Sequence, residues 1–281
     1  MSTFAITGPI TLDARLVHGT VTVHMRDDLT EATVALAPTL GSEDFAERIT
    51  VTMRGDTLTV HAHRALASSR VRRGGTVDAE FTVPTGTALK IATQTADITV
   101  AGRSGPADVV TGTGVLHLDT VDGSLRLRCG SSNIEVFAVT GSAHVRSGSG
   151  EIRFGNLGGA LDAASGSGRL EVDVIRGALR SKCGSGTTVL NAVYGDVDLL
   201  SGSGQTTIAL PVGITARLDI TSGSGTVSSD LPLDDQQSVA GPAITVRART
   251  GSGDITLIRA ARDRRPAASR RSLGWPRNGQ S

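Results

Sequence analysis

The feature that most restricts the fold is a tetrapeptide, SGSG and its variants, that returns on a fixed step. Its first residues are Thr93, Thr111, Cys129, Ser147, Ser165, Cys183 and Ser201, each 18 after the last, followed by Ser222 and Thr250 after steps of 21 and 28. A second glycine keeps the same time at Gly105, Gly123, Gly141, Gly159, Gly177, Gly195 and Gly213. A period of this size means units that are each completed by their neighbours. Within one period Ile152 and Phe154 alternate with Glu151 and Arg153, a glycine pair intervenes at Gly158 and Gly159, and Leu161 and Ala163 alternate around Asp162. Alternation with period two over so few residues describes strands half-buried on one face.

The chain is therefore expected to be all-β: a single-stranded β-solenoid, or β-helix, with 18-residue coils. Each strand would pair in parallel with its copy in the next coil about 4.8 Å away, so that like residues form ladders. The small residues opening each tetrapeptide suit an inward ladder at a tight corner. On the outside, Glu135, Arg153 and Glu171 follow one another with alternating sign, as paired ladders require. Aromatics are only 2% of the sequence, so the core is aliphatic.

Residues 1–92 lack the clock but keep the chemistry. Alternating runs lie at 10–16, 20–25, 32–36, 49–53, 57–62 and 76–83. They read as irregular coils capping a stack whose bare end would expose strand edges. Residues 38–47 read as a loop with a short helical turn. Pro84-Thr85-Gly86 and Pro211-Val212-Gly213 each lead into a strand and then a tetrapeptide, the second as a bulged corner holding the three extra residues of the 21-residue step. One domain is expected over 1–258, its regular coils over 93–258, with a polar insertion near 230–242. Residues 259–281 lose all alternation and read as a disordered Arg-rich tail. That tail holds seven Arg and one Asp, or +6, which leaves −5 on the rest of a chain whose net charge is +1.

Cys129 and Cys183 fall at one position of coils three steps apart, about 14 Å at the ladder spacing and too far for a disulfide. Free thiols fit a reducing compartment. No segment has the form of a signal peptide and no stretch is long and apolar enough for a membrane span, which together point to the cytoplasm.

The tandem coils, with TGSGDI at Thr250–Ile255 and SGSGEI at Ser147–Ile152 after a Pro-x-Gly segment, resemble the bacterial putative-adhesin family, also called toastrack domains. The resemblance covers residues 4–258. It implies a glycine-rich β-solenoid tied to envelope-stress and surface systems, and it brings no catalytic motif.

For chemistry, the outward positions after the second glycine gather Arg126, Arg128, Arg146, Arg180 and Lys182 on one face, interrupted by Asp162. That basic patch reads either as a solvated face that keeps the solenoid soluble or as a site for an anionic partner, a protein or a polymer of phosphate or acidic sugar. Glu135, Glu151 and Glu171 on the other face are interleaved with Arg153 and Arg169, a pattern of ladder pairing rather than of a catalytic carboxylate pair. His61 and His63 point the same way from a strand without the further ligands a metal needs. The glycines precede strands and open no helix, so no phosphate-loop or dinucleotide site follows, and no cofactor is expected. The basic tail with Trp275 offers non-specific charge without a nucleic-acid reader. The reading is a non-enzymatic scaffold or binding module, with self-association end to end or along a flank. The alternative is a β-helix carbohydrate-active enzyme, a lyase or glycosidase.

Overall fold

The computed structural model describes residues 1–39, 48–62, 75–231 and 243–260. In chain order the irregular N-terminal strands are β1 (Ser2–Ala5), β2 (Thr11–Arg15), β3 (His18–Arg26), β4 (Glu31–Pro38), β5 (Ile49–Arg54), β6 (Thr57–Ala62), β7 (Val77–Pro84), β8 (Ala88–Ala92) and β9 (Thr95–Ser104). The clocked region holds β10 (Ala107–Val121), β11 (Leu125–Val139), β12 (Ala143–Ser149), β13 (Glu151–Leu157), β14 (Leu161–Ile175), β15 (Leu179–Leu190), β16 (Val197–Ser203) and β17 (Thr206–Leu210). The last four are β18 (Thr215–Ser222), β19 (Val227–Ser229), β20 (Ala243–Ser252) and β21 (Ile255–Arg259). The six alternating runs of the first 92 residues correspond to β2 to β7. Of the loop expected at 38–47, Pro38 ends β4 and residues 40–47 lie outside the described residues, as do most of the insertion at 230–242 and the tail beyond Ala260.

Each coil contributes a strand segment before its tetrapeptide and another after it, so two parallel faces run the length of the molecule. Between Ala107 and Ser203 the ladders join residues 18 apart: Leu125 lies opposite Ala107 and Ala143, and Ile152 opposite Ile134 and Leu170. Side chains of one parity point inward, and Leu125, Leu127, Ile152 and Phe154 are fully buried between the faces. At the corner, the opening residues of the tetrapeptide stack as an inward column in which Thr93 Oγ1 donates to Thr111 Oγ1 at 3.0 Å and Ser147 Oγ donates to the Ser149 carbonyl at 2.9 Å. Cys129 and Cys183 belong to this column, three ladder steps apart, and both are free. The glycine that follows is required by close stacking. A Cβ on Gly166 would sit 2.7 Å from the Gly148 carbonyl oxygen, and one on Gly130 would sit 2.6 Å from that of Gly112.

The two Pro-x-Gly segments are the same turn. Thr87 N–H donates to Pro84 O at 3.2 Å and Ile214 N–H to Pro211 O at 3.3 Å, with Gly86 and Gly213 at φ of 83° and 88°. A positive φ at the third residue of such a turn is the conformation glycine supplies without steric cost.

At both ends spatial order departs from chain order, which corrects the simple succession of coils. β2 lies between β6 and β8, with Thr11 opposite both Thr57 and Ala88, and β3 lies likewise between β7 and β9. At the other end β16 pairs with β20, and β20 with β18: Ser201 lies opposite Thr250, and Thr250 opposite Ser222. β21 is likewise held between β17 and β19. The coil at 243–259 is thus inserted between two coils that precede it in sequence. The outermost strands also differ. At the first end β5 closes one face and β4 with β1 the other, all joined antiparallel to the strands they cover. At the far end the faces finish on β18 and β19, each parallel to its one neighbour among the described residues.

Candidate anionic-ligand face

The outer surface of the face formed by the segments before each tetrapeptide carries two ladders, one residue pair apart. The first reads Asp13, Lys90, Asp108, Arg126, His144, Asp162, Arg180, Asp198, Arg247 and Asp219. Apart from Arg126 followed by His144, the signs alternate at every step. Ion pairs form along it, Arg180 to Asp198 at 3.5 Å and Arg247 to Asp219 at 3.9 Å, and the His144 ring lies 3.6 Å from Asp162.

The second ladder reads His61, Arg15, Ala92, Val110, Arg128, Arg146, Ala164, Lys182, Leu200, Arg249 and Thr221. It contains no acid. The five sequence-predicted residues therefore divide, with Arg126 and Arg180 in the alternating ladder and Arg128, Arg146 and Lys182 in the cationic one. Arg128 reaches across to Asp108 at 3.6 Å, whereas Arg126, Arg146 and Lys182 make no ion pair among the described residues. Arg249 joins the cationic ladder, reaching Asp219 at 3.3 Å. The sequence conceals it, since only the inserted coil brings it beside Leu200. Arg146, Lys182, Ser165, Gly166 and a half-exposed Leu200 line a shallow groove of about 640 Å³ over the glycine corner.

At the far end of this ladder Arg15 and His61 are already engaged. Arg15 donates twice to Asp13, at 3.1 and 3.2 Å, and the His61 ring lies 3.1 Å from the same carboxylate. Burial alone would push the Asp13 carboxyl up, but the hydrogen bonds and charges of Arg15 and His61 outweigh it and hold it below the ordinary range. Lys90, Asp108, Gln94 and Val110 extend this region into a broad groove. His63, the partner expected for His61 in a metal pair, lies outside the described residues.

On the opposite face Glu135 lies beside Arg153 in the ladder and Glu151 beside Arg169. Glu171 accepts from Arg169 at 3.0 Å and lies 3.8 Å from Arg153, and Glu151 lies 3.8 Å from Arg169. Each carboxylate that a glycosidase reading would use thus has an arginine or histidine partner, Glu135 pairing with His117 at 3.1 Å. Among the described residues no group of three or more His, Cys, Asp or Glu is placed to hold a metal, and no helix is long and apolar enough to cross a membrane.

Neither a family model nor a curated protein matches the chain. Solved structures to which it is similar include a putative cell adhesion protein from Clostridium sporogenes, at 10% identity and a TM-score of 0.20, covering 92% of this chain and 98% of that one. Two others are putative adhesins, from Bacteroides fragilis (15% identity, TM-score 0.33) and Parabacteroides distasonis (9% identity, TM-score 0.33), each covering 91% of this chain and 95% of its own.

Proposed function

We propose that the protein is a non-enzymatic binding module that presents the cationic ladder to a linear polyanion, a polyphosphate or an acidic polysaccharide. The observation that carries this reading is the second ladder itself, which runs the length of one face without a carboxylate. Arg146 and Lys182, without an ion pair among the described residues, keep their field for an outside partner, whereas Arg128 and Arg249 share theirs with Asp108 and Asp219 of the neighbouring ladder. Arg128 and Arg146 sit one step apart, about 4.8 Å, and Lys182 and Arg249 follow at two-step intervals, so an extended chain of anions lying along the solenoid axis meets one cation after another. Leu200 and Val110 add apolar contact between the charges.

The test is affinity for long-chain inorganic polyphosphate against salt concentration. Joint Arg146→Ala and Lys182→Ala substitution should weaken binding about tenfold or more at moderate salt and reduce the slope of log K against log salt by about 2. Arg180→Ala, which removes a charge already paired with Asp198 in the alternating ladder, should cost much less than Lys182→Ala alone. Equal losses from the two ladders, or none from either, would end the proposal.

A further inference from the structure

The end formed by β18, which has one strand neighbour among the described residues, carries a self-complementary sequence. Its residues Thr215-Ala216-Arg217-Leu218-Asp219-Ile220-Thr221 read as a chemical palindrome about Leu218: threonine mirrors threonine, alanine mirrors isoleucine, and arginine mirrors aspartate. We propose that this strand pairs antiparallel with the β18 of a second copy across a two-fold axis at Leu218, giving a dimer joined end to end.

The backbone permits this register. In the same face the inward residues donate toward the following coil, as Leu125 N–H does to Ser142 O at 2.9 Å and Leu179 N–H to Asp196 O at 2.7 Å. Leu218 stands in the ladder of Leu125 and Leu179, and in a parallel ladder the N–H and C=O of one residue point to the same side. The amides of Ala216, Leu218 and Ile220 therefore face away from β20, toward the free edge. A two-fold through Leu218 sets Leu218 opposite Leu218 and Ala216 opposite Ile220 as hydrogen-bonded pairs. It leaves Arg217 opposite Asp219 as the closer, non-bonded pairs, one on each side of the axis.

Side chains agree on both surfaces. Inside, Ala216, Leu218 and Ile220 are only half-buried, whereas Val246 and Ala248 beside them on β20 are buried. A second copy would cover that row with the same row. Outside, the alternating ladder closes with Arg180, Asp198, Arg247 and Asp219, and the next member of the alternation is a cation. Arg217 of the second copy would supply it. Arg217 is exposed and has no ion pair among the described residues. The other end offers no such match, since β5 (ITVTMR) carries one charge, Arg54, and no acid. A contact built on one end and closed by a two-fold stops at two copies rather than growing a filament.

The experiment is sedimentation or light scattering on the full chain with two single variants, Arg217→Glu and Asp219→Lys, each checked for strand content by circular dichroism. The wild type should have twice the 28.8 kDa mass of one chain. Arg217→Glu opposes Glu to Asp twice and should raise the dissociation constant about tenfold or more. Asp219→Lys opposes Lys to Arg and should do the same. An equimolar mixture of the two variants restores both opposite-charge pairs and should recover the dimer as a heterodimer. A wild type that stays monomeric up to about 0.1 mM, too weak for a defined interface, would overturn the proposal. So would a dimer indifferent to Arg217→Glu, or a mixture of folded variants that fails to recover.

Discussion

Between Ala107 and Ser203 chain order and spatial order coincide, whereas at the two ends they separate. In the middle a single number, the step of 18, relates the ladder pairs formed within that stretch. At the ends the partners of Thr11 are Thr57 and Ala88, and that of Ser201 is Thr250, at separations no repeat announces. The difference teaches that a constant step specifies neighbours because each coil offers the next an identical surface. Where the step changes, the closing coils are chosen by fit. The coil of Thr250 places Arg247 beside Asp198, where the coil of Ser222 in its position would set Asp219 against that carboxylate.

The sharpest way to break this comparison is by cross-linking in a background where Cys129 and Cys183 are replaced by Ser. Ser201→Cys with Thr250→Cys, and Thr250→Cys with Ser222→Cys, should each form an intramolecular disulfide. Ser201→Cys with Ser222→Cys should not, because two ladder steps, about 10 Å, exceed disulfide reach. A bond in the last pair alone would restore simple succession of the coils.

Packing differences come next. Gly166→Val should remove about 5 kcal/mol or more and prevent folding, since its Cβ must displace backbone in the coil below. Gly8→Ala, where a Cβ meets nothing within 4 Å, should be nearly silent in the same denaturant titration. Phe154→Ala in the middle should cost about 3 to 5 kcal/mol, and Leu218→Ala, half-buried in the single copy, about 1 when unfolding is followed at protein concentrations too low for dimers to form. Comparable losses at the two positions would mean that the far end is as well covered as the middle.

The smallest effects follow from ionisation. Burial pushes the Cys129 thiol up to about 11, with hydrogen bonds to Ser132 and Thr111 opposing. Its protonated form is favoured by folding, so its share of stability is complete below the ordinary thiol range near 9 and is lost as pH rises from there to about 11. Cys129→Ser should flatten that limb of the pH–stability curve. Asp13, held low by Arg15 and His61, contributes above the ordinary carboxyl range and loses its contribution as pH falls through its lowered value. Asp13→Asn should slightly reduce stability at neutral pH and make the acid limb shallower.

Much of the fold was legible because alternation is a local signal. The runs over 10–16 and 57–62 declare strands wherever their partners lie, and β2 and β6 formed there. The partners themselves were not legible, since alternation says which way a side chain points and nothing about which strand adjoins. The candidate face shows the same division. Arg126 and Arg128 both point outward, and the eighteen-residue step already separates them, leading from one to His144 and Asp162 and from the other to Arg146 and Ala164. Grouping all five cations by face alone merged two ladders of opposite character. Arg249 was out of reach of any such counting, because it arrives in the cationic ladder with the inserted coil.

That inserted coil also bears on how the molecule carries load. A strand at the rim of a stack can be peeled away one bond at a time, but β20 and β21 are gripped from above and below. Tension entering through Arg259 would meet first the ladder to β17 and then, from Leu257 inward, two ladders together. A solenoid fastened through that residue would hold as a rivet does rather than open like a zip.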